Sequence, residues 1–84
     1  GANMELDLRG LRVEDALDQL DPYLERAFSS GLPFVRVIHG KGTGALRETV
    51  RETLRHSGFV SRWERGQDNE GGDGVSVVFF HASD

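Results

Sequence analysis

The stretch from Phe34 to His56 constrains the fold of this chain more than any other. A β-branched run, Phe-Val-Arg-Val-Ile, leads into His39-Gly40-Lys41-Gly42-Thr43-Gly44, and then into a segment whose apolar residues Leu46, Val50 and Leu54 recur every four positions. The first pattern fits a strand and the last an amphipathic helix, so the glycine-rich hexapeptide must be the turn between them. A strand that feeds a helix through a short turn is half of a crossover unit. Such units return the next strand parallel to the first with a right-handed path. The spacing predicts a strand over 34–38 and a helix over 45–56, ended by Gly58.

The flanking segments complete the pattern. Met4 to Leu8 alternates, with Leu6 and Leu8 on one face, Glu5 and Asp7 on the other, and Arg9 continuing the charged face. From Val13 the period changes: Val13, Ala16, Leu17, Leu20, Leu24, Ala27 and Phe28 line one side of a helix. Pro22 falls inside it and removes a backbone hydrogen bond, but the apolar phase continues across it, so one kinked helix is expected, closed by Ser30-Gly31. Residues 59–65 and 75–80 read as two further strands. The polar loop 66–74 between them is long for a hairpin and is therefore mobile or functional. The order is β-α-β-α-β-β, an α/β chain with parallel crossovers and an antiparallel closing pair. Eighty-four residues suffice for one modest core. Residues 1–3 look like a cloning remnant or a frayed end, and 4–84 read as a single domain, a fragment of a longer protein.

Composition narrows the chemistry. With no cysteine, disulfides, thiolate metal sites and cysteine nucleophiles are all excluded. No apolar run approaches the roughly 20 residues of a membrane span, no signal peptide opens the chain, and a cytoplasmic setting (bacterial cytoplasm or nucleoid) is expected. The net charge is −4, but its distribution matters more than its total. Residues 36–56 carry Arg36, Lys41, Arg47, Arg51 and Arg55 against only Glu48 and Glu52, whereas both flanking segments are acidic. The basic segment contains the glycine loop.

That loop has the makings of an anion site. Glycines let the main chain approach a ligand closely, the free N–H groups of the following helix point into the same space, and Lys41 adds a cation. The order Lys-Gly-Thr-Gly is neither a Walker loop nor a dinucleotide fingerprint, which disfavours nucleotide hydrolysis. The same glycines also suit a plain tight turn with Thr43 as helix cap.

Three segments, Leu-Asp-Leu-Arg-Gly at 6–10, His-Gly-Lys-Gly-Thr-Gly-Ala-Leu-Arg at 39–47 and Gly-Gly-Asp-Gly-Val-Ser-Val-Val at 71–78, resemble in type and order the motifs of the Smr (small MutS-related) domain. The first is closest to the version at the carboxyl end of MutS paralogues; many stand-alone members have histidine where this chain has Arg9. The resemblance implies an α+β two-layer sandwich like the carboxyl-terminal domain of translation initiation factor three. Both helices would cover one face of a mixed sheet of order 1-2-4-3. It implies endonuclease activity, as non-specific nicking of DNA or cleavage of RNA, in recombination suppression, DNA repair or ribosome rescue. Its partners would be DNA or RNA, the ribosome in some branches, and the remainder of a MutS-like ATPase chain. The alternative is a non-catalytic nucleic-acid or ribosome binding module.

The expected site follows. Asp7, Arg9 and His39 are the catalytic candidates: Asp7 to orient or deprotonate water, Arg9 to neutralise charge on phosphate, and His39, at the mouth of the loop, to transfer protons. Arg9 is permanently protonated and cannot replace a histidine base. As a plain surface ion pair, Asp7 and Arg9 would instead contribute about 0–1 kcal/mol. Gly40, Lys41, Gly42, Thr43, Gly44, Arg47 and Arg36 are the phosphate-binding candidates. Glu5 and Asp7 share a strand face and are the one pair suited to Mg2+ or Mn2+; no cofactor is otherwise indicated. Arg51 and Arg55 are expected on a solvated helix face beside Glu48 and Glu52. Phe79 and Phe80 are expected in the core, Trp63 is a further aromatic that could stack on bases, and His56 and His81 are taken as incidental.

Overall fold

A computed structural model of the chain describes residues 3–82. Its elements are β1 (Glu5–Asp7), α1 (Val13–Ser29), β2 (Phe34–Ile38), α2 (Ala45–His56), β3 (Val60–Arg65) and β4 (Val75–Phe80). Of the expected remnant at residues 1–3, Gly1 and Ala2 lie outside the described residues. The Asn3 carbonyl accepts a hydrogen bond from the Tyr23 hydroxyl at 2.5 Å. No helix among the described residues is long and apolar enough to cross a membrane.

The strands form one sheet of order β1-β2-β4-β3. β1 pairs parallel with β2, and β4 runs antiparallel to both β2 and β3. This is the mixed sheet that the motifs implied. Val35 and Val37 of β2 and Val78 of β4 are fully buried, and they share a core with Leu20 and Leu24 of α1 and Val50 and Leu54 of α2. Both helices therefore cover the same side of the sheet. Truncating one of these leucines to alanine removes about 2–5 kcal/mol. Helix α1 is a single helix containing Pro22, because its apolar face keeps phase through the proline.

The register sorts the other side into three rows across the strands. Asp7, Ile38 and Val75 form the row nearest the ends of β1 and β2; Glu5, Arg36, Val77 and Glu64 form the next; Phe34, Phe79 and Arg62 form the last. This corrects the expectation for Phe79. Successive strand residues point to opposite faces, so only Phe80 packs against the core, whereas Phe79 lies on the open face with its ring 6.1 Å from that of Phe34.

The 66–74 connection is folded. Two short 3-10 turns (Asp68–Glu70 and Gly72–Gly74) are held by Gly66 N–H to Gly72 O at 2.9 Å and Gly72 N–H to Gln67 O at 2.9 Å. They return the chain to the glycine loop after β2.

Candidate nucleic-acid site

Three segments remote in sequence meet where β1 and β2 end. The first contact is backbone. Gly74 O accepts both His39 N–H at 3.0 Å and Gly40 N–H at 2.9 Å. Glycine at position 74 suits this approach, since a Cβ there would stand a tight 3.3 Å from Gly40 Cα. Gly44, at φ +90°, adopts the left-handed turn that starts α2. Thr43 Oγ1 accepts Ala45 N–H at 3.3 Å. Among the described residues, the N–H groups of Lys41, Gly42 and Thr43 have no internal acceptor, nor do those of Leu46 and Arg47 in the first turn of α2. They present a cluster of donors at the positive end of the helix dipole.

Side chains surround that cluster. The Arg47 guanidinium folds back over Gly44 and bonds Glu48 at 3.2 Å and Asp73 at 3.0 Å. Lys41 is exposed beside Gly72 and Gly74 and makes no ion pair among the described residues. On the β1 side, Arg9 grips Asp7 through two side-chain bonds, Nε to Oδ1 at 3.0 Å and Nη2 to Oδ2 at 2.8 Å, and its backbone N–H adds a third. Hydrogen bonding to Arg9 holds the Asp7 carboxyl down at about 2, so Asp7 is a permanent carboxylate at neutral pH. The Arg9 stem lies against Gly40. Asp7, Arg9 and the loop are therefore adjacent.

His39 stands elsewhere than expected. It is not at the mouth of the loop but behind it, 5% exposed, with both ring nitrogens engaged. Nδ1–H donates to Gly40 O at 2.9 Å, and Nε2 accepts from Ser76 Oγ–H at 2.9 Å. Burial pushes its pKa below the ordinary value, keeping the ring neutral. This geometry suits an anchor for the loop rather than a proton carrier. Strand β2 must place alternate side chains inward, and residue 39 continues that alternation.

Arg51 also stands elsewhere than expected. It is 7% exposed and lies inside the domain, not on a solvated face. Its Nε–H donates to Ser76 Oγ at 2.9 Å, Nη1 pairs with Asp73 at 2.8 Å, and the guanidinium lies 4.4 Å from the Trp63 ring. Ser76 thus joins Arg51 to His39, and Asp73 joins Arg51 to Arg47. The Arg51 hydrogen bond lowers the Asp73 pKa. Reading the sequence missed Arg51, Asp73 and Ser76. Ser76 carried a usable signal: it occupies an inward position of β4, where a hydroxyl needs a buried partner. Arg55 does lie on the solvated face, paired with Glu52 at 2.7 Å. Trp63 packs against the core and under Arg51, and so does not stand free to meet a base.

Arg36 is not at the loop either. It lies on the open sheet face, paired with Glu5 and donating to Glu70 O at 3.0 Å. Glu5 and Asp7 share that face, but an arginine holds each carboxylate, and no group of three potential metal ligands occurs among the described residues. This donor set does not fit a divalent cation.

A mixed 1-2-4-3 sheet lies under two helices, with a donor-rich strand–loop–helix turn beside a guanidinium-clamped carboxylate. The sequence matches the Smr domain family over residues 6–81, and the chain belongs to that family. It is 56% identical over 75 residues to the endonuclease MutS2 of Thermomicrobium roseum and 58% identical over 74 residues to that of Symbiobacterium thermophilum. These matches cover 89% and 88% of this chain but only 10% and 9% of the relatives, so the chain spans about a tenth of their length. Among solved structures, the Smr domain of Thermus thermophilus MutS2 superposes with a TM-score of 0.90 at 47% identity, covering 93% of this chain and 98% of that one. YdaL, a stand-alone small MutS-related protein from Escherichia coli, gives a TM-score of 0.88 at 25% identity, covering 94% of this chain and 65% of that one.

Proposed function

We propose that this domain is a nucleic-acid endonuclease that nicks phosphodiester bonds without reading sequence. It would be the cutting piece of a longer MutS-like chain acting on DNA or on ribosome-associated RNA. The observation that carries the reading is the adjacency of the free N–H cluster of the glycine loop to the Arg9-clamped Asp7 carboxylate. The name endonuclease borne by the MutS2 relatives supports the reaction class.

In this reading the phosphate seats against the N–H groups of Lys41, Gly42 and Thr43, with the Lys41 ammonium alongside. Asp7, ionised well below neutral pH, orients a water and accepts its hydrogen. The water oxygen bonds to phosphorus, the ester P–O bond breaks, and the leaving oxygen takes a proton from solvent. Arg9 and Lys41 offset the charge that grows on the phosphoryl oxygens. His39 and Ser76 hold Gly40 in place without touching the substrate.

A binding module without cleavage is the second reading. Its support is the same clamp, since a carboxylate so firmly paired and so weakly basic makes a poor proton acceptor. Plasmid nicking and RNA cleavage by the purified chain, run in parallel with and without manganese, separate the two. Asp7→Asn preserves shape and should slow cleavage about 100-fold while sparing binding. Equal cleavage by wild type and Asp7→Asn would exclude Asp7 chemistry. Binding lost in Lys41→Ala, with cleavage by neither protein, would establish the module.

A further inference from the structure

The sheet face away from the helices carries features that the loop chemistry does not use. Phe34 is 37% exposed on β2 and contacts Phe79 of β4. The Arg62 guanidinium lies 3.8 Å from the Phe79 ring centre, so its outer plane faces solvent with an aromatic backing. Arg62 itself is paired with Glu64 at 3.0 Å, and Arg36 with Glu5, so the two glutamates in the strand rows of this face are each matched by an arginine. Beside Phe34 lies a recess of about 210 Å³ walled by Arg36, Glu64, Gln67 and Val77. Two π surfaces and a recess edged by both donors and acceptors suit a flat heteroaromatic ring rather than an aliphatic side chain.

We propose that this open face is a base-stacking subsite for an unpaired stretch of nucleic acid whose backbone is gripped at the glycine loop. The inference rests on the phosphate-binding reading of that loop. The geometry connects the two. Phe34 and Asp7 lie two rows apart on the same face, on the order of 13 Å at strand spacing, which a few nucleotides of extended chain can bridge. Aromatic rings and guanidinium planes accept any base by stacking, which agrees with cleavage that ignores sequence. A duplex keeps its bases stacked on one another and offers this face nothing. The substrate is therefore a single-stranded or locally opened segment, of DNA or RNA alike.

Fluorescence anisotropy with four labelled 12-mers tests this: oligo-dT, oligo-rU, an abasic strand of equal length and a blunt duplex. Phe34→Ala should weaken oligo-dT and oligo-rU binding at least about 5-fold and leave the abasic strand and duplex unchanged. Phe34→Trp should restore binding, with its fluorescence quenched by the strand. Unchanged oligo-dT and oligo-rU affinity in Phe34→Ala, or an equal loss on the abasic strand, overturns the subsite. A shift from dimer to monomer in sedimentation with no change in strand binding also overturns it and assigns the face to a second copy. Lys41→Ala marks the other reading. If it weakens all four probes while Phe34→Ala weakens none, only the stacking subsite fails; if it weakens none, the phosphate loop fails as well.

Discussion

Ser76 shows how much one hydroxyl can organise. It donates to His39 Nε2 and accepts from Arg51 Nε, in a place where both partners are buried. Ser76→Ala strands a buried acceptor and a buried donor, and should cost about 1–3 kcal/mol, read as a fall in thermal midpoint of several degrees. His39 adds a pH dependence of fixed sign. Its folded pKa lies below its unfolded value of about 6.5, so protons bind the unfolded chain more readily. The stability it contributes is complete above pH 6.5 and is lost as pH falls through the folded value. The thermal midpoint should drop as pH is lowered below 6.5, and His39→Asn should flatten that decline. Asp7 and Asp73, with lowered pKa values, work in the same direction only at more acidic pH. A decline that persists unchanged in His39→Asn would assign the effect to other groups.

At the scale of elements, the α2 turn and the β3–β4 connection behave as one unit, because Gly74 O holds the backbone of the glycine loop. Gly74→Ala would press a methyl onto Gly40 and push the two segments apart by a few tenths of an ångström. Phosphate-dependent binding should fall about 10-fold, since the cluster of donors loses its alignment. Oligonucleotide anisotropy beside a melting curve checks that binding suffers before folding does. Much of this scale was legible in the sequence: β-branched Phe34–Ile38, the glycine run and the spacing-four helix specify strand, turn and helix by local chemistry alone. The 1-2-4-3 order came from the motif resemblance, because local periodicity does not say which strands pair. What stayed hidden followed from tertiary geometry. Arg51 looked like part of a solvated helix face with Arg55, beside Glu48 and Glu52. It is one position from Val50, however, and that shoulder of α2 turns toward Ser76. Phe79 and Phe80 read as one apolar pair, yet the pleat sends them to opposite faces.

For the whole molecule, the net charge of −4 sits oddly with a nucleic-acid partner until the charges are followed to their partners. Arg9 is matched by Asp7, Arg36 by Glu5, Arg51 by Asp73, Arg55 by Glu52 and Arg62 by Glu64. Arg47 is shared between Glu48 and Asp73 and Arg65 is matched by Asp68, whereas Arg12, Arg26 and Lys41 have no ion pair among the described residues. Few cations are thus free to displace counterions from a phosphate backbone, and binding by this domain alone should be weak. With about two phosphates neutralised, log affinity for a single strand should fall against log salt with a slope near −1.4, since each contact contributes about −0.7. Lys41→Ala should make that slope shallower by about 0.7. Titrations of oligo-dT and oligo-rU between about 25 and 200 mM salt measure both. A slope of −5 or steeper would mean that arginines now tied in ion pairs release their carboxylates to the ligand, and the clamp on Asp7 would then be the first to open. A slope indistinguishable from zero would remove the phosphate contact from the glycine loop. Only the modest slope leaves Asp7 held by Arg9 while the strand is bound.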